Sequence, residues 1–183
     1  KSLINFNVLS PAVIAFTALI PGPKMLWQFQ ELGYDYSINY CSDGTIKEDC
    51  RTNAKPVPWT IWKDDVDRWN AYRNSAKVIS LRTKNPNIFR AENFTAVNLT
   101  GTSWDKPRRM DISYKDATDE SENIDIIVLA NFSATSNVTT TADVKTVGTW
   151  FNYLTGEQIN IRRKDHVLTL KPGELVILTS RKV

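Results

Sequence analysis

Met25-Leu26-Trp27-Gln28-Phe29 is a short, mostly apolar run that follows Pro21-Gly22-Pro23-Lys24. With no regular polar alternation, it reads as a strand of the kind buried in a parallel sheet. Upstream, Ser10 to Thr17 predicts a short helix that tolerates Pro11 in its first turn and stops at Pro21-Gly22-Pro23. Downstream, the irregular stretch from Gln30 to Pro58 is long for a loop in a compact domain, a length that marks functional or disordered segments. Trp59-Thr60 then opens the clearest helix. Trp62, Val66, Trp69, Ala76 and Ile79 define its apolar face, and Asn85-Pro86 ends it. A single parallel-type strand between two helices has no sheet partner and leaves its ladder groups unpaired. Strands from outside this chain are therefore expected, and the chain reads as a fragment.

The composition changes near residue 87. Short runs rich in Val, Ile, Thr and aromatics, punctuated by Gly, Pro, Asn and Asp, indicate an all-β domain. Strands are expected at Asn93–Asn98, Met110–Tyr114, Ile124–Phe132, Thr146–Tyr153, Glu157–Ile161, His166–Leu170 and Leu175–Thr179. Leu154-Thr155-Gly156 and Lys171-Pro172-Gly173-Glu174 read as hairpin turns. This count of short strands suits an antiparallel β-sandwich. The expected division is an α/β segment over 1–86 and an all-β sandwich over 87–183.

Hydrophobic residues make up 42% of the 183-residue chain and charged residues 23%, as in a globular protein. The 23 basic and 20 acidic residues nearly balance, so no concentrated counter-charge for nucleic acid exists. Arg162-Arg163-Lys164 reads as a solvated turn. The apolar run Val8 to Ile20 is too short to span a bilayer and is broken by Pro11. No signal peptide is present, and a targeting signal of a longer parent would be missing from a chain that opens at Lys1. Cys41 and Cys50 flank a polar loop and suit either a disulfide, in an oxidising compartment, or two free thiols. With only His166 besides, they are too few for zinc.

Ile20 to Gly33, with its Pro-Gly, its apolar strand ending in aromatics and its Glu31 and Gly33, resembles the eighth barrel strand of α-amylase family glycoside hydrolases. Arg51-Thr52-x-x-Lys55-Pro56-x-x-Trp59 resembles the loop before the last barrel helix in a bacterial branch of that family. Ile79-x-Leu81-Arg82-x-x-Asn85-Pro86 resembles the end of that helix. Gly148-Thr149-Trp150-x-x-Tyr153-x-Thr155-Gly156 and Leu168-Thr169-Leu170-x-Pro172-Gly173-Glu174 resemble the C-terminal sandwich. One departure is Phe29, or Gln30 depending on alignment, where the family usually has Gly.

The resemblance, which is to bacterial surface starch-utilisation amylases in particular, implies the last unit of a (β/α)8 barrel plus a sandwich. It implies a retaining two-carboxylate hydrolysis of internal α-1,4-glucosidic bonds in starch or maltooligosaccharides. The family's carboxylates follow earlier strands, so no catalytic residue is expected in this chain, which alone should be inactive. The implied partners are the sugar and the missing N-terminal part of the barrel, with a membrane met only through an anchor on the parent. The implied location is extracytoplasmic, secreted or at the cell surface. No cofactor is expected here, and calcium is the candidate ion of the parent. The alternative is a non-catalytic carbohydrate-binding or structural sandwich.

Candidate sugar contacts are Tyr34, Asp35, Arg51 and Trp27, because aromatic faces stack on sugar C–H groups and polar side chains meet hydroxyls. Tyr36 and Tyr40 are further aromatic candidates. Trp27 reads first as core, Arg51 first as a loop-pinning ion pair, and Asp35 equally as loop structure. Glu31 reads as a support for the barrel rim rather than a catalytic group. Trp59, Trp62 and Trp69 read as helix packing. Trp104, Trp150 and Tyr153 read as core or sugar platform, with core favoured for Trp150. His166 reads as solvent-facing or at a domain interface, and the sequons at Asn93, Asn98, Asn131 and Asn137 as parts of Thr/Ser-rich strands.

Overall fold

The computed structural model describes residues 2–97 and 107–183. Trp104 and Asn98 lie outside the described residues. The described residues form three layers: two long helices, a six-stranded antiparallel sheet and a two-stranded sheet.

Helix α1 runs Ser2–Ala18, so it starts eight residues before the expected Ser10 and carries Pro11 in its interior. An internal proline loses one helical hydrogen bond and costs about 3 kcal/mol. Burial offsets that cost, because Ala12, Ala15, Ala18 and Leu19 all lie in the main core. Arg82 closes the C-terminal end of α1. Its guanidinium donates to the carbonyls of Ala18 (2.8 Å), Ile20 (2.6 Å) and Gly22 (3.1 Å), groups a helix end leaves without partners.

The helix expected from Trp59 is broken. α2 covers Trp59–Trp62 and α3 covers Val66–Lys84. Asp65 causes the break by capping α3, its carboxylate accepting from the N–H groups of Asp67 and Arg68. The buried stripe of α3 is Arg68, Ala71, Ser75, Val78 and Leu81 rather than the expected apolar face. Of that face Trp62 is buried, but Val66 is 69% exposed. The small residues prevail because they let α3 pack closely on α1.

Met25–Phe29 is not a strand. No neighbouring strand offers it a ladder, and local bonds satisfy its backbone instead: Trp27 N–H donates to Gln30 Oε1 (3.1 Å) and Gln30 N–H to the Trp27 carbonyl (3.0 Å). The described residues contain no closed barrel.

The strands are β1 (Phe94–Val97), β2 (Arg108–Tyr114), β3 (Ile124–Ala130), β4 (Val138–Thr141), β5 (Gly148–Asn152), β6 (Gln158–Ile161), β7 (Val167–Leu170) and β8 (Leu175–Thr179). The large sheet has the order β1-β2-β3-β8-β5-β6, and β4 pairs with β7. Period-two alternation builds both cores. Ile124, Ile126, Val128, Leu175 and Ile177 face α1 and α3. Ile127, Leu129, Val176 and Leu178 face Trp150, Ile161, Leu170 and Ala142 in the second core. Trp150 is 2% exposed.

Two expectations change here. Lys171–Glu174 is not a hairpin: β7 pairs with β4, whereas β8 pairs with β3 and β5, so this turn carries the chain between sheets. Gly173 (φ 68°) is required in it, since a Cβ there would overlap the carbonyl of Val8 in α1. The sequon asparagines among the described residues lie at strand ends. Asn93 ends a 3-10 turn before β1 and Asn137 precedes β4. Asn131 is wholly buried, donating to the carbonyls of Ser136, Leu170 and Lys171 while accepting from Ser133 N–H.

Candidate functional site

Residues between Trp27 and Lys55 form an open groove of about 760 Å³. Two left-handed residues shape its start. Phe29 has φ 55°, and Gly33 follows at φ 70° after the 3-10 turn Gln30–Leu32. These reversals swing Tyr34, Asp35 and Tyr36 beside α2. For a bulky residue φ > 0 is an outlier, and Phe29 is one of the two positions, with Gln30, where the resemblance expects glycine.

Arg68 holds this segment, although sequence reading gave the pinning role to Arg51. The Arg68 side chain is 4% exposed and pairs with Asp35 and Asp65, both at 3.1 Å. It donates as well to the carbonyls of Leu32 (2.9 Å) and Gly33, and its guanidinium lies 3.9 Å over the Trp62 ring. The available signal was its register: Arg68 shares a stripe with Ala71, Ser75 and Val78, and a buried arginine needs carboxylate partners.

Aromatic contacts continue the chain of support. Tyr34 stacks on Phe29 (5.9 Å) and meets Trp62 (5.8 Å) and Tyr36 (5.4 Å), and Tyr36 meets Tyr40 edge-on (5.0 Å). The Tyr34 hydroxyl donates to the Pro56 carbonyl (2.9 Å). Burial, then the neighbouring Tyr36, Asp35 and Tyr40, push its pKa up, so it stays neutral.

Tyr34 and Tyr36 line one side of the groove and Arg51 to Lys55 another; Trp27, 62% exposed, also lines it. Arg51 is exposed, and its side chain makes no hydrogen bond or ion pair among the described residues. Lys55 is committed, since its Nζ donates to the carbonyls of Tyr40 (3.0 Å) and Cys50 (2.5 Å). A disulfide joins Cys41 to Cys50.

The structure thus brings Trp27, Tyr34 and Arg51 together. Asp35 is turned to Arg68, and Glu31 lines a separate shallow pocket with Leu26, Tyr72 and Ile79. Among the described residues no Asp or Glu lines the groove, so these offer flat apolar faces and a free guanidinium but no acid–base pair. Among the described residues no His, Cys, Asp and Glu side chains group to hold a metal.

No family model and no curated protein matches this sequence. The solved structures do give a match: two helices and an antiparallel sheet, the arrangement found in part of α-amylase-type glycoside hydrolases. AmyP in complex with maltose matches with TM-score 0.67 and 17% identity, over 97% of this chain and 35% of that one. The α-amylase of Geobacillus thermoleovorans complexed with acarbose matches with TM-score 0.61 and 14% identity, over 97% and 34%. CldA, a cyclomaltodextrin glucanotransferase, matches with TM-score 0.59 and 17% identity, over 95% and 32%. The chain spans about a third of the length of these structures.

Proposed function

We propose that this chain is the C-terminal portion of an α-amylase-type enzyme that hydrolyses internal α-1,4-glucosidic bonds of starch and maltooligosaccharides. In this reading residues 1–86 belong to its barrel and 87–183 form its sandwich. The observation that carries the reading is the groove, where an exposed indole, two tyrosines and an unengaged arginine meet on a fold shared with part of amylase structures. Trp27 stacks on a glucose ring, and Arg51 donates to its hydroxyls. Tyr34 supports the wall, because its hydroxyl is spent on Pro56. AmyP matches in complex with maltose and a variant of it in complex with maltotriose, which agrees with a short α-glucan as the ligand.

The chain contributes binding and support rather than chemistry. Retaining hydrolysis needs two carboxylates about 5–5.5 Å apart, and the described lining of the groove holds none. The carboxylates, and any calcium of the enzyme, lie outside this chain in our reading. Location outside the cytoplasm suits the disulfide.

Titration of the chain with maltoheptaose tests the binding role: saturable binding is expected, and Trp27→Ala should abolish it. Binding unchanged in Trp27→Ala would overturn the assignment. Release of reducing sugar from starch by the purified chain would overturn the view that it is inactive alone.

The sandwich supports a bracing role better than a sugar-binding one. Its described aromatics are not among the exposed large hydrophobic residues, and one apolar sheet face is continuous with α1 and α3. Tyr153 and Leu154 add two ties, Tyr153 OH donating to the Lys77 carbonyl (3.2 Å) and Lys77 Nζ to the Leu154 carbonyl (2.6 Å).

A further inference from the structure

The disulfide occupies a particular place in the groove. The wall that carries Tyr34, Tyr36 and Ile38 ends at Cys41, and the wall that carries Arg51 to Lys55 begins after Cys50. The Cys41–Cys50 bond is thus the covalent tie between the two walls. Lys55 spans the same junction by bonding the carbonyls of Tyr40 and Cys50. The other ties are hydrogen bonds: the Tyr34 hydroxyl on the Pro56 carbonyl, Lys47 N–H on the Asn39 carbonyl, the antiparallel bridge of Tyr40 with Ile46, and turn bonds around Asp43 and Thr45. Residues 42–49 are all exposed, so the loop that joins the two walls has no core packing of its own.

We propose that the Cys41–Cys50 disulfide is a redox-sensitive clasp that holds the groove in its binding shape. The inference rests on the groove being the glucan-binding site. A dithiol reductant opens it in two exchanges. Its thiolate attacks Cys50 Sγ, on the less buried cysteine, the S–S bond breaks, and Cys41 Sγ leaves and takes a proton. The second reductant thiol then displaces Cys50 Sγ, which is protonated, and the reductant departs as its own disulfide. Two electrons and two protons pass to the cysteine pair. Lys55 and the Tyr34 hydroxyl then tie the walls by hydrogen bonds alone, and Arg51 is no longer next to a cross-linked cysteine.

Two measurements on the intact protein test the clasp. The first is amide hydrogen exchange with the disulfide formed, after reduction, and in Cys41→Ser/Cys50→Ser. Exchange at residues 34–40 and 51–55 should quicken in the reduced and double-serine forms, while β3 and β8 stay protected. Unchanged exchange in both walls overturns the clasp, as does loss of protection in β3 and β8, which would make the disulfide a global fold requirement. The second is maltoheptaose affinity in the same forms. It should weaken roughly tenfold on reduction, equivalent to about 1.4 kcal/mol, and recover on reoxidation. Affinity that depends on Trp27 yet ignores the redox state overturns the control of binding while leaving the groove's function intact. No binding by the oxidised form overturns the glucan reading and the control of sugar binding with it; the exchange experiment still decides whether the bond holds the walls.

Discussion

Arg68, which holds the groove segment, and Trp27, which lines the groove, answer to different physics. Arg68 is buried and satisfies two carbonyls and two carboxylates. Arg68→Ala leaves these acceptors short of a donor and should cost roughly 2–3 kcal/mol, somewhat below the usual cost of breaking a buried pair because both carboxylates are partly exposed. Urea unfolding measures it, and Arg68→Lys should not restore the loss, since one ammonium cannot replace a fork of donors. Trp27 is 62% exposed, so Trp27→Ala should shift stability by no more than about 0.5 kcal/mol while removing glucan binding. An equal loss of stability would show that Trp27 packs rather than binds. The sequence displayed both side chains but not their partners. A tryptophan in an apolar run looks like core until the run proves to have no strand beside it. The pinning arginine is 33 residues from its carboxylate on the loop, which no local pattern reveals.

The strands are legible where they are apolar throughout. β3 and β8 are buried on both faces, and their expected spans lie close to the true ones, whereas β4, Val138-Thr139-Thr140-Thr141, has no apolar run and is absent from the expected spans. The long helix misled for a different reason: α3 has two plausible faces, and the less oily one won because it packs on α1. Gly173 shows what a turn can conceal. Gly173→Ala must fit a Cβ against Val8 at φ 68°, and should lose at least about 2 kcal/mol, a fall in Tm of roughly 4–8 °C. A melting temperature equal to that of the parent would contradict the close approach of this turn to α1.

The acidic loop at residues 116–123 carries a pH prediction of its own. The Asp116 carboxylate accepts from the Tyr114 hydroxyl and from Thr118 and Asp119, and these bonds hold its pKa far below the ordinary carboxylate value. Because the folded pKa is depressed, its contribution is present above the unfolded value of about 3.9 and is lost as pH falls through the folded one. Amide exchange at Thr118 and Asp119, corrected for intrinsic rates, should show protection at pH 6 that fades only in strong acid. Protection already lost at pH 5 would contradict it.

At the scale of the molecule, one sheet serves two cores and joins helices to sandwich. Trp150 fills the second core, and its indole N–H donates to the Thr146 carbonyl (3.0 Å). Trp150→Ala should therefore cost about 3–5 kcal/mol, read by chemical denaturation. If the sandwich braces the helices, the same variant should unfold in one transition followed alike by near-UV and far-UV signals; two separate transitions would show independent units.

Asn131 bears on where such a chain can be made. Asn131-Phe132-Ser133 is an acceptor sequence for N-linked glycan, yet in the finished fold its amide is fully enclosed and hydrogen-bonded three ways. A secretory pathway that adds glycans to the emerging polypeptide would reach Asn131 before β3 and β7 close over it. The sugar would then keep those strands from meeting, and the product would divide into bare chains that fold and decorated chains that do not. The sequence suits cells that leave asparagine alone, and production in yeast should improve when that addition is blocked.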